Sequence, residues 1–211
     1  VSAHLFSVNV TAIVHASKAA GAFARTGIDK RPVTSARLTG SGVIGDQVIE
    51  TTVHGGVDKA VYAYAIEDLH WWETHIGSTL TPGSFGENLS TVEIDLTESV
   101  IGERWQIGEA VLEVAQPRLP CRVFSEFWNR TSLIKEFTQA ARPGAYLRVI
   151  EDGEVSAEDF IEVLSRPEHG LTLGEAFRAR NGDRDLVPKV LDAAELPAAW
   201  HEWAQRTLSS K

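Results

Sequence analysis

One cysteine, Cys121, stands alone among 211 residues. A single thiol cannot close an internal disulfide, assemble an iron–sulfur cluster or furnish a cysteine-rich zinc site. An excess of cations is lacking as well: 20 Lys and Arg against 29 Asp and Glu leave a net charge of −9. That balance gives no footing for nucleic-acid binding or for docking on anionic membranes. No apolar run approaches the length of a membrane-spanning helix. The opening stretch through Thr11 alternates apolar and polar residues and lacks the charged end and apolar block of a secretion signal. The expected location is therefore the cytoplasm, and the N-x-S/T triplets at Asn9, Asn88 and Asn129 are expected to be chance matches. Nucleophile-elbow and P-loop motifs are missing. His70 and His75 lie five apart, which is not the one-face pairing of helical zinc ligands.

What is present is an ordinary globular composition, 43% hydrophobic and 23% charged, in a chain long enough to bury a core without staples. Residues 8–14 alternate and are rich in β-branched side chains, which predicts a strand. Further strands are expected over 33–38, 47–53, 60–65, 89–94, 104–107, 110–115, 145–150 and 160–164, with 17–30 as a loop. A helix is expected over 66–76, with Leu69, Trp72 and Ile76 on one face and Gly77 as its stop, and a shorter one over 134–141. From Leu171 onward three sets of apolar residues fall at helical spacing, the last containing Leu196, Trp200 and Trp203. The pattern predicts a mainly β core, a barrel or sandwich, over residues 1–166, then a small helical segment over 167–211. Trp200 and Trp203 are expected to face that core, aromatic stripes usually packing on their own molecule.

Three constellations can carry chemistry. In Gln116-Pro-Arg-Leu-Pro-Cys121-Arg122 two prolines hold the chain extended after a strand. In polyproline II geometry Arg118 and Cys121 would face one side about 9 Å apart. The arginines would favour thiolate, which suits a soft metal or an anionic ligand; a buried, inert thiol is the alternative. In His54-Gly55-Gly56-Val57-Asp58-Lys59 the paired glycines allow close backbone approach to an anion, with Lys59 as cation and His54 as hydrogen-bonding group. A tight turn with solvated charges reads the same residues equally simply. In Gly83-Ser-Phe-Gly-Glu87-Asn88-Leu89 a flexible loop ends in a carboxylate and an amide. Asn88 could bond a heterocycle edge, or cap backbone groups. A fourth motif, Gly40-Ser-Gly-Val-Ile-Gly45, matches G-x-G-x-x-G, but residues 46–53 after it read as strand rather than helix, so a dinucleotide fold is rejected.

Taken in order, His54 to Tyr64, Phe85 to Ser90 and Gln116 to Cys121 resemble the MOSC domain, named for the C-terminal domain of molybdenum cofactor sulfurases. The likeness is strongest to small stand-alone bacterial members of the YiiM type. It extends to Gly144-Ala-Tyr-Leu-Arg-Val-Ile150 and into the C-terminal helices. The resemblance implies a MOSC-type β-barrel core. It implies a molybdenum cofactor, a metal held in a pyranopterin dithiolene, with Cys121 as protein ligand. The turn His54-Gly55-Gly56 with Lys59, then Asn88 and Arg118, would line the pocket. Lys30 and Ser35 would lie where a basic segment helps hold the cofactor's phosphate. Gln47-Val48-Ile49 departs from the family's usual Glu-Gln-Ala and receives no role.

Related members resemble reductases of N-hydroxylated compounds such as hydroxylaminopurines and amidoximes. The implied chemistry is two-electron N–O cleavage, with Asp58 or Glu87 managing protons and electrons supplied by a separate redox partner. Three other readings use the same residues: a cofactor carrier without turnover, a sulfur-transfer module with a persulfide on Cys121, and a β-barrel with an inert cysteine.

Overall fold

The computed structural model describes residues 2–210, apart from the side chains of Thr52 and Val53; Val1 and Lys211, the ends of the two expected segments, lie outside the described residues. The chain begins with a long strand β1 (His4–Ala16), then β2 (Arg25–Val33), β3 (Ser35–Thr39) and β4 (Gly42–Val43). A short helix α1 (Thr51–His54) and a 3-10 turn (Val57–Lys59) lead into β5 (Val61–Ala65) and helix α2 (Ile66–Ile76). β6 (Leu89–Val92), β7 (Arg104–Ile107) and β8 (Ala110–Pro117) precede helices α3 (Arg122–Phe127) and α4 (Leu133–Ala140). β9 (Ala145–Glu151), β10 (Gly153–Ser156) and β11 (Ile161–Ser165) complete the strands, and α5 (Leu173–Arg180), α6 (Val187–Asp192) and α7 (Ala198–Ser209) close the chain.

Eight strands form one sheet in the order β11-β7-β8-β9-β5-β6-β1-β2, and β10-β3-β4 form a second. Neighbours are antiparallel except β5 and β6, which run parallel because α2 carries the chain across between them. β5 shows why a strand with no polar residue is needed at the centre. Its alternating side chains enter two different cores, Val61, Ala63 and Ala65 on one face and Tyr62 and Tyr64 on the other. The first core contains Trp105, Leu112 and Val114 together with Leu173, Val190 and Trp200 of the C-terminal helices. The second is aromatic, with Trp72, Phe85, Phe124, Phe137 and Phe177.

The expected barrel is not what forms. Near the start of β1, Leu5 and Ala3 exchange backbone hydrogen bonds with Glu158, Asp159 and Ile161, the last being the first residue of β11, but β1 and β11 share no ladder and the sheet stays open. From Val8 onward the free edge of β1 is taken by β2, which leaves only its first residues to meet the opposite edge. Two segment assignments also change. Residues 25–30, the end of the stretch read as loop, belong to β2 (Arg25–Val33), while 47–50, read as strand with 51–53, are irregular and run into α1. The Gly40–Gly45 motif occupies the β3–β4 hairpin rather than a strand-to-helix turn. Among the described residues no helix is long and apolar enough to cross a membrane.

Candidate functional site

The segments before β5, before β6 and after β8 converge, with β2, on one cleft of about 710 Å³ including its open mouth. Cys121 stands in its wall. Pro117 ends β8, where a missing N–H costs no ladder bond. The chain then runs extended to Cys121, the residue that caps the start of α3.

Arg118 is buried, with its guanidinium 4.9 Å from the Tyr62 ring centre and 4.4 Å from that of Phe124, and it donates a hydrogen bond to the Phe85 carbonyl. Burial opposes its charge, but Tyr62, Tyr146 and Cys121 facing it hold it more firmly protonated than a free arginine. At Cys121 burial pushes the thiol up. A hydrogen bond to His54, the charge of Arg118 and the Phe124 amide outweigh this and bring it down to about 7.

Of the residues singled out in the sequence, Lys30, His54, Lys59, Asn88, Arg118 and Cys121 line the cleft. Lys30 is buried and ion-paired with Asp46, whose carboxylate also accepts from the Thr11 amide at 2.9 Å, the Thr11 hydroxyl at 2.7 Å and the Asn88 amide at 2.9 Å. Burial pushes the Lys30 ammonium down against the pull of Asp46. Asn88 is engaged at both ends of its amide. Its oxygen accepts from the Tyr62 N–H at 3.2 Å and its nitrogen donates to Asp46 and to the Asn9 carbonyl, so it ties β5 to β1. Lys59 lies 5.9 Å from the Tyr146 ring centre; burial lowers its pKa against the opposing charges of Asp58 and Cys121.

Gly55, Gly56, Asp58, Glu87 and Ser35 are not among the lining residues. Gly55 lies too near Thr51 to carry a side chain freely, a Cβ there meeting backbone at 3.0 Å. Gly56 has φ +92 with open space around it, so conformation rather than ligand approach calls for glycine. The Asp58 carboxylate pairs with Arg148 at 2.6 Å. Glu87 is fully buried and accepts from the amides of Gly83 and Phe85 at 2.6 and 3.0 Å and from the Ser90 hydroxyl at 3.1 Å. Burial raises its pKa against those donors. The Ser35 hydroxyl donates to Glu154 at 2.5 Å on the small sheet.

Other lining residues were passed over in the sequence. Arg25, Thr26, Gly27 and Ile28 of β2 line the cleft beside Lys30, in a stretch read as loop. Tyr62 and Tyr146 are register partners on β5 and β9, with ring centres 5.1 Å apart. Gln47, Val48, Ile49 and Glu50 line the cleft as well. Among the described residues no group of three or more His, Cys, Asp or Glu could cage a bare metal ion. A metal bound here would have Cys121 and would have to bring its other ligands with it.

Residues 50–162 match the family model described as the MOSC domain. The chain is 34% identical over 179 residues to the uncharacterized protein YflK of Bacillus subtilis, covering 83% of this chain and 81% of that one. It is 29% identical over 154 residues to a Gibberella moniliformis protein named reductase, covering 70% of this chain and 27% of that protein. The fold is similar to the crystal structure of YiiM from Geobacillus stearothermophilus, with TM-score 0.81, 25% identity and coverage of 97% of this chain and 98% of that one.

Proposed function

Because the chain belongs to the MOSC domain family, we propose that its cleft holds a molybdenum cofactor through Cys121 and that the protein is a reductase of N-hydroxylated compounds. MOSC domains are associated in general with molybdenum cofactor binding, and one relative is named a reductase. The observation that carries the reading is a thiol brought down to about 7 in a cleft that also receives Lys30, Lys59 and Arg118. A soft thiolate is the donor a metal of this kind takes. The cations suit a ligand carrying negative charge. The residues present therefore fit the group.

When bound, the molybdenum would supply the two electrons that cleave the N–O bond. Cys121 would be its protein ligand, with His54 and Arg118 keeping the sulfur as thiolate. Lys30, Lys59 and Arg118 would bind the anionic parts of the cofactor. Tyr62 and Tyr146 would wall the cleft, and Val48 and Ile49 would give it an apolar surface that excludes water. His54 and Glu50 line the cleft and would be placed to handle protons there, whereas Asp58 and Glu87 are outside its lining. Electrons would come from a separate redox partner, since a chain with one cysteine cannot hold an iron–sulfur relay of its own.

The test is turnover of a hydroxylaminopurine or an amidoxime by cofactor-loaded protein with a competent reductase chain. Amine or amidine formation that is lost in Cys121→Ser is expected. Loaded protein that releases its cofactor to an apo-enzyme yet turns over no N-hydroxylated substrate would make it a carrier instead.

A further inference from the structure

Lys59 reaches the cleft from the turn Val57–Lys59, and the residue beside it, Asp58, is gripped from two directions. Arg148 donates from Nε to the Asp58 carboxylate at 2.6 Å. Gln116 donates from Nε2 to the Asp58 carbonyl at 3.3 Å. Both grips continue outward into the C-terminal segment. The Gln116 side-chain oxygen accepts from Trp200 Nε1 at 2.9 Å. The far end of Arg148 donates to the Glu195 carbonyl at 2.7 Å, while Glu113 fixes its orientation at 2.8 Å. Gln116 and Trp200 are both buried, at 7% and 5% exposure, so neither amide end of Gln116 can exchange its protein partner for water at no cost. On its other side the turn is preceded by Gly56, whose φ of +92 glycine adopts most readily. The turn's own backbone bond, from the Lys59 N–H to the Gly56 carbonyl at 3.0 Å, is local, and the Asp58 grips are what tie the turn to the C-terminal segment. Trp200 and Glu195 lie outside the 50–162 span that matches the family model.

We propose that the C-terminal helical segment is a working part of the cleft: through Trp200–Gln116 and Glu195–Arg148 it clamps the Asp58 turn and so holds Lys59 in the cleft that Cys121 also lines. Gln116 and Arg148 are positioning residues that act through Lys59. The clamp sets the shape and field of the cleft for whatever anion it takes, so its failure and that of the molybdenum reading are separate results.

The test reads the charge that Cys121 feels. Full-length protein prepared without cofactor is alkylated with iodoacetate, an anion, and with iodoacetamide, which is neutral. Both reagents consume thiolate, so the ratio of their rate constants cancels the thiol's ionisation and reports the local field. Lys59→Gln sets the scale, with an expected fall in the ratio of about fivefold. Trp200→Phe, which removes the N–H and no charge, is expected to lower the ratio by at least about twofold while circular dichroism stays native. Asp58→Asn at the half-exposed carboxylate decides the sign and stands in if Trp200→Phe does not fold. Loss of a negative charge alone would raise the ratio, whereas release of the turn lowers it. A ratio unchanged in Lys59→Gln or in folded Trp200→Phe, or unchanged or raised in Asp58→Asn, overturns the proposal.

Discussion

The acidity of Cys121 comes from its neighbours rather than from exposure. Burial alone would hold the thiol above its ordinary value near 9; His54, Arg118 and the Phe124 amide reverse that and bring it to about 7. Alkylation should accordingly rise through a midpoint near pH 7, and His54→Ala, losing a bond that favours the thiolate, should move the midpoint upward toward 9. A midpoint near 9 in the parent protein would contradict this account. The linked stability has the same sign. Thiolate adds to folding above the unfolded value near 9, and that increment is lost as pH falls through about 7. The cysteine and its two prolines were legible because residue type and spacing alone limit their chemistry. The carboxylates were not. Sequence offered Asp58 and Glu87 as proton carriers, but nothing in it says that Arg148 takes the first and the loop's own amides the second. Asp46, partner of Lys30, was passed over because a buried ion pair joining residues 16 apart has no local signature.

At the scale of elements, α2 was readable to the residue. Its apolar face is complete, and Gly77 ends it in the left-handed conformation at φ +77. β2 was not, because binary patterning assumes apolar residues point inward. Residues of β2 line the cleft, so Thr26 and Lys30 stand where a core strand would carry aliphatics. The converse error made 47–53 a strand: Val48 and Ile49 are apolar because they line the cleft. The loop over 81–88 changes meaning as well. Its glycines looked like flexibility, yet Gly83, at φ +88, lies so close to β2 that a Cβ would sit 2.4 Å from the Lys30 carbonyl. Gly83→Ala should therefore cost about 2 kcal/mol or more and disturb Lys30 with it. The measurement is denaturant unfolding, and a loss below about 0.5 kcal/mol would show that the loop is not pressed against β2.

At the scale of the whole molecule, the strand-rich core and the three C-terminal helices were legible, but not how they join. The patterning of single strands says which face is buried and not whether a sheet closes. Here β2 covers most of the edge of β1 that closure would need. Leu173, Ala176, Val190 and Trp200 share one apolar cluster with Leu112 and Val114 of β8, so the helical segment completes the core. Unfolding of the full chain is expected as one transition, with tryptophan fluorescence and far-ultraviolet circular dichroism coincident. A chain ending at residue 166 should fail to fold. Two separated transitions, or a folded truncated chain, would contradict that.

The central claim is that Cys121 holds a molybdenum cofactor. Elemental analysis and oxidised-pterin fluorescence on protein made in cofactor-competent cells, parent beside Cys121→Ser, test it most directly. Near-stoichiometric molybdenum and pterin in the parent, with molybdenum falling sharply in the variant, is the predicted result. Absence of both from the folded parent protein would contradict it.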